Sequence, residues 1–341
     1  SSAASDVYKR QGERGYPLMK KTSIKKLTAA VLALVIVLSF AGCAKINYVT
    51  KGTIQAIKEV QDGSYKDGGA LGAATAGGAA AEGEGDSAGG ESVQIDEFVP
   101  NTYGGVEFKT VEDVVNYYVE AYNLTKTKSA QYNTPSGTET WYALVGAEEL
   151  NVHDILVEGK SNGIIEGLVP GIVGSLFKPS AQALPPCDTR KIDEDSFKTS
   201  ALTAEDVLAA NVKDNGDGTI TIQIQPKAAS MSAKGKDSQG RFFNTLGDIA
   251  STVESVGVSW ASGTTEENCR VEYQNGIGTI TINTSTGEIT AAEYNMKVTV
   301  TVEHASIAII TDKSASLQID YDITFPASDE WLQDNMETTR A

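Results

Sequence analysis

Histidine occurs only twice in the 341 residues, and cysteine three times. That scarcity narrows the chemistry. No His/Cys cluster has the spacing of a zinc site. No G-x-S-x-G elbow carries a serine, and the hairpin-rich second half is unlike the strand–helix alternation of hydrolase folds. Counting His153 and His304 leaves a Ser-His-Asp triad formally open. No glycine loop lies between a strand and a helix to cradle phosphate; "GEGDSAGG" belongs to a linker. The expectation is therefore a protein with no catalysis, no cofactor and no metal.

Basic residues are also few. Lys and Arg number 28 against 45 Asp and Glu, a net charge of −17. Residues 1–42 hold seven basic and two acidic side chains, so the remainder stands at −22. Such a surface argues against nucleic acid and against a polybasic hold on anionic lipid. "DNGDG" at 214–218 suggests a calcium loop, but Gly216 and Gly218 fall where ligands are needed and the twelfth position lacks Glu. Asp193-Glu194-Asp195 reads as a solvated loop, and Asp320 and Asp322 as one polar strand face.

Long apolar runs are scarce too. From Leu27 to Ala44 there is no charge, 18 residues, preceded by Lys20, Lys21, Lys25 and Lys26. That is at the lower limit for a span and ends in small residues rather than a basic stop. With Met19 as the start, 19–42 reads as a lipoprotein signal peptide. Residues 1–18 read as a non-native or upstream leader. Phe40-Ala41-Gly42-Cys43 resembles the lipobox of bacterial lipoproteins, with Phe40 where Leu is usual. Cys43 is then the lipid-attachment site. A diacylated cysteine is a two-chain anchor, sufficient for stable membrane attachment. The expected location is the outer side of a bacterial cell membrane, Gram-positive by preference, with the membrane as partner through the lipid.

What remains is a tether and a domain. Residues 43–61 form a membrane-proximal segment. Residues 62–97 are a Gly/Ala/Ser-rich linker, a flexible chain spanning roughly 30 Å. A single α+β domain is expected over 98–326, followed by a tail at 327–341. Thr110-Val-Glu-Asp113 starts a helix, with Val111, Val114, Val115, Tyr118 and Tyr122 on one face. Thr203-Ala-Glu-Asp206 has the same form. Phe242, Phe243, Leu246, Ile249 and Val253 mark a further helix, 242–256.

The stretch "SNGIIEGLVPGIVGSLFKP" (161–179) carries a broad apolar stripe, with Gly163, Gly167 and Gly171 every fourth residue. Two readings fit it: a core helix laid on a sheet, or a lid that lines a site for a hydrophobic ligand. Beyond it the period becomes two. Met296, Val298, Val300 and Val302 alternate with Lys297, Thr299 and Thr301; Leu317, Ile319, Tyr321 and Ile323 alternate with Gln318, Asp320 and Asp322. That is antiparallel sheet with one wet face. The expected fold is one curved antiparallel sheet of five to seven strands packed on about three helices, near 110–123, 163–177 and 242–256.

Trp141, Tyr142 and Tyr117 are candidates for a sugar or lipid site. With Cys43 on the lipid, Cys187 and Cys269 are an even pair, and export permits a disulfide. If a hydrophobic small molecule is bound, its walls are expected to be Ile165, Leu168, Val169, Ile172 and Phe177, facing Val298, Val300, Ile319 and Tyr321. The alternative is a structural or interaction lipoprotein of the cell envelope, with an envelope protein as partner and no ligand cavity.

The lipobox, the tether, "VVNYYVEAYN", "LTAEDV" and "STGEITAAEYNMKVTV" follow in that order. In this the chain resembles uncharacterised surface lipoproteins of gut clostridia, over most of 98–326. These motifs are structural and imply no site residues. The expected architecture is similar to lipoprotein carriers of the LolA/LppX kind.

Overall fold

The computed structural model describes residues 91–247, 258–307 and 310–341. A hairpin, β1 (Asn101–Tyr103) and β2 (Val106–Phe108), leads into helix α1 (Val111–Thr125). Then come β3 (Ser129–Thr134), β4 (Gly137–Tyr142), β5 (Gly146–Val157) and β6 (Lys160–Ser161). Helix α2 (Gly163–Leu176) and β7 (Ala181–Gln182) follow. The next strands are β8 (Val207–Asp214), β9 (Thr219–Pro226), β10 (Ala229–Ser230) and β11 (Ser259–Trp260). Helix α3 (Thr265–Asn268) precedes β12 (Cys269–Tyr273), β13 (Ile277–Asn283), β14 (Ile289–Ile307) and β15 (Ile310–Phe325). Helix α4 (Asp329–Met336) and β16 (Thr339–Arg340) complete the order.

The organising element is β14, 19 residues long. One flank runs beside β15. Its other flank serves β13, β12 and β11 in turn. The resulting sheet has 11 strands, with β6-β5-β15-β14-β13-β9-β8 as its path. Every strand pair among the described residues is antiparallel. Tyr294, Met296, Val298 and Val300 pair with Ile323, Tyr321, Ile319 and Leu317, so they share one face. On the other face Lys297 Nζ meets Asp320 Oδ1 at 3.2 Å.

Helix α1 begins where the capping residues place it. The Thr110 hydroxyl and the Asp113 carboxylate cap each other's backbone N–H groups. Its buried stripe of Val114, Val115, Tyr118, Ala121 and Tyr122 packs on β8, β9 and β14. A second cluster joins β3, β4 and α4 through Tyr132, Trp141, Tyr142 and Leu332. Trp141 and Tyr142 are therefore core residues, and residues 327–341, expected as a tail, hold α4 and β16.

The expected fold class, an α+β sheet of five to seven strands on three helices, is overturned. Among the described residues the structure is mostly β, 44 % strand against 16 % helix, with 11 strands in the main sheet and only four short helices. The excess of sheet has identifiable sources. Thr203–Asp206 makes a single 3-10 turn, after which Val207 enters β8. There Ala210 and Val212 pair with Ile224 and Ile222 of β9, and this pairing outweighs the local helix signal. In the expected 242–256 helix, residues 242–247 are not helical; 248–257 lie outside the described residues. Phe242 instead inserts its ring between Tyr118 and Tyr294, at 5.6 and 5.3 Å between centroids. Strands β3 to β5 were masked in the sequence by polar residues on their outer face.

Candidate functional site

Strand β5 is covered unevenly. One flank runs along β15. The other meets β7 only at Gly146 and Ala147, and β6 only at Leu156 and Val157. Between these points no strand pairs with it among the described residues. Helix α2 follows the β6 hairpin and contacts β5. A cleft of about 680 Å³ opens here. Strand β5 contributes Glu148, Glu149, Leu150, Asn151 and Val152 to its walls. Helix α2 gives Val169 and Gly174, the following loop Phe177 and Pro179, and α4 gives Trp331 and Asn335.

The β5 register explains the mixed lining. Glu148, Leu150 and Val152 pair with Ile323, Tyr321 and Ile319, so Glu148 lies on the inward face. It is only 6 % exposed. Its Oε1 accepts from the Ser180 N–H at 2.8 Å and the Ser180 hydroxyl at 3.0 Å. Its Oε2 accepts from the Tyr321 hydroxyl. Burial, and then the charge and hydrogen bond of Glu148, push the Tyr321 phenol far above its ordinary value. Tyr321 thus remains a donor. Its ring meets Phe177 edge-on at 6.0 Å. A chain of contacts therefore runs from Phe177 through Tyr321 to Glu148.

Only part of the expected ligand set meets here. Val169 and Phe177 line the cleft. Ile165 is buried with Val157 and Val169 in a small cluster beside it. The side chains of Leu168 and Ile172 lie outside the described residues, as does Cys43. Val298, Val300, Ile319 and Tyr321 are not cleft walls; they are closed into the main core, at most 9 % exposed. The cause is that these strand positions face a covered part of the sheet, while β5 borders the open part. Glu148, Leu150, Val152 and Trp331 were missed. One signal was available: Glu148 interrupts an inward phase otherwise made of Leu150 and Val152.

The remaining candidates resolve as follows. Cys187 and Cys269, the pair for which export permits a disulfide, are free and buried, in different clusters. His153 lies 3.0 Å from Asp154, and His304 lies 2.8 Å from Asp312. Neither imidazole hydrogen-bonds a serine hydroxyl among the described residues. Asp195, expected in a solvated loop, is buried. No group of three or more metal-ligating side chains occurs among the described residues. Comparison with protein-family models, curated proteins and solved structures finds no match for the chain.

Proposed function

We propose that this is a lipid-anchored extracytoplasmic binding module whose ligand is a small amphipathic molecule held in the β5–α2–α4 cleft. The observation that carries the reading is the cleft itself. Its volume of about 680 Å³ falls in the range of small-molecule sites. Leu150, Val152, Val169, Phe177 and Pro179 offer an apolar bed, and Asn151 and Asn335 offer polar groups for orientation. The anchor part rests on the Lys-rich start, the short apolar run and Ala41-Gly42-Cys43.

Gly174 supplies the test. A Cβ built there meets nothing within 4 Å. Gly174→Phe should therefore fill the cleft without disturbing the helix. Nile red fluorescence should rise with the parent protein and stay low with Gly174→Phe at unchanged thermal stability. Equal fluorescence from both would remove the cleft reading. For the anchor, the full chain expressed in a Gram-positive host should take up labelled palmitate, and Cys43→Ser should not. Label retained by the variant would refute it.

A second reading, a protein-interaction module of the envelope, is favoured by the open flank of β5. Unpaired strand flanks accept an added strand from a partner. It predicts that an extended peptide, rather than Nile red, is lost with Gly174→Phe.

A further inference from the structure

Resting on the cleft reading, we propose that the site selects an organic cation, an ammonium group on an apolar body, with Glu148 as its charge partner. The argument starts from an imbalance. A buried charge is costly unless an opposite charge or a set of hydrogen bonds compensates it. Glu148 has hydrogen bonds, but all its donors are neutral: the Ser180 amide, the Ser180 hydroxyl and the Tyr321 phenol. No ion pair reaches it among the described residues. Arg190 feels its charge only after those of Glu139 and Glu194, and sits 4.3 Å over the Trp141 ring.

The cleft wall repeats the imbalance. It holds two carboxylates, Glu148 and Glu149, and two amides, Asn151 and Asn335, with no Lys, Arg or His among the described lining residues. A fatty acid or a phosphate ester would meet charge of its own sign here. An ammonium would meet the complement that Glu148 lacks. Two aromatic rings, Phe177 and Trp331, also line the space. Aromatic faces attract cations, and quaternary ammonium groups most usefully, because such groups carry no hydrogen-bond donors to satisfy. The apolar bed of Leu150, Val152 and Val169 then takes the hydrocarbon part.

The experiment titrates the purified full chain, as its Cys43→Ser form, with three probes of equal chain length at physiological salt and below their micelle concentrations. The probes are dodecyltrimethylammonium, dodecanol and dodecanoate. The cation should bind at least about tenfold more tightly than the other two. Glu148→Gln should erase that preference while dodecanol affinity stays. Glu112→Gln, an exposed carboxylate on α1, controls for general attraction to an acidic protein and should leave the preference intact. If Glu148→Gln fails to fold, Trp331→Leu carries the test and should weaken the cation more than the alcohol. Equal binding of all three probes, or tightest binding of dodecanoate, overturns the proposal and leaves the cleft reading standing. A preference that survives Glu148→Gln, or a loss equal for cation and alcohol in Trp331→Leu, also overturns it. Binding of no probe overturns both readings together.

Discussion

The Lys126 ammonium lies 2.7 Å from Oδ2 of Asp195, and neither side chain is more than 1 % exposed. Lys126 also donates to the Phe197 carbonyl at 2.7 Å and contacts the Tyr122 hydroxyl at 3.1 Å. The Tyr142 hydroxyl donates to the same Asp195 oxygen at 2.9 Å. Lys126 caps the C-terminus of α1, where a cation suits the helix dipole. The pair thus staples the end of α1 to the loop that carries Asp195. Lys126→Met leaves the carboxylate buried without a counter-charge and should cost about 3–5 kcal/mol in urea unfolding. A loss under about 1 kcal/mol would show that the pair is not enclosed as described.

The same pair sets an acid limb. Burial pushes the Asp195 carboxyl up. The Lys126 hydrogen bond and charge, with the Phe197 and Asp188 N–H groups, more than reverse this and hold it below the ordinary carboxylate range. As pH falls, the unfolded chain takes the proton first. The stabilisation is therefore complete above about pH 4–5 and lost as pH falls through the lower folded value. Stability measured against pH should fall less steeply in Asp195→Asn; an unchanged acid limb would contradict this assignment.

Tyr118 and Tyr294 join their hydroxyls at 3.0 Å inside the core between α1 and β14. Tyr294→Phe strands a buried hydroxyl and should cost about 1–3 kcal/mol. Removing both hydroxyls leaves no orphan, so the double variant should cost less than the two single variants added together. A double-mutant cycle reads the difference; strict additivity would mean that the hydroxyls do not interact.

Cys187 and Cys269 should both behave as protected thiols. Burial pushes both up, which depletes the reactive thiolate. In the Cys43→Ser protein a thiol reagent should label neither residue when folded and both in denaturant without reductant. No labelling in denaturant would mean that the two are bridged.

The local signals proved the most legible. The capping pair Thr110 and Asp113 places the start of α1, because a capping box acts within one turn. The alternation through Met296–Val302 and Leu317–Ile323 marks the two central strands, because side chains in a strand change face at every residue. What only the tertiary structure decided is how far the sheet extends and where it stays open. Val207 joins a strand because β9 is there to pair with it, and Phe242 leaves the helical pattern because Tyr118 and Tyr294 leave room for a ring. Val298, Val300 and Ile319 carry the same alternation whether they line a cavity or a core; they lie in the core. Glu148 becomes a cleft residue because β7 and β6 stop short along β5, while the loop after α2 and helix α4 place Phe177 and Trp331 at the gap. Phe177 and Trp331 lie 29 and 183 residues along the chain from Glu148 (177 − 148 and 331 − 148), and closure between such separate segments leaves no trace in the periodicity of any one of them.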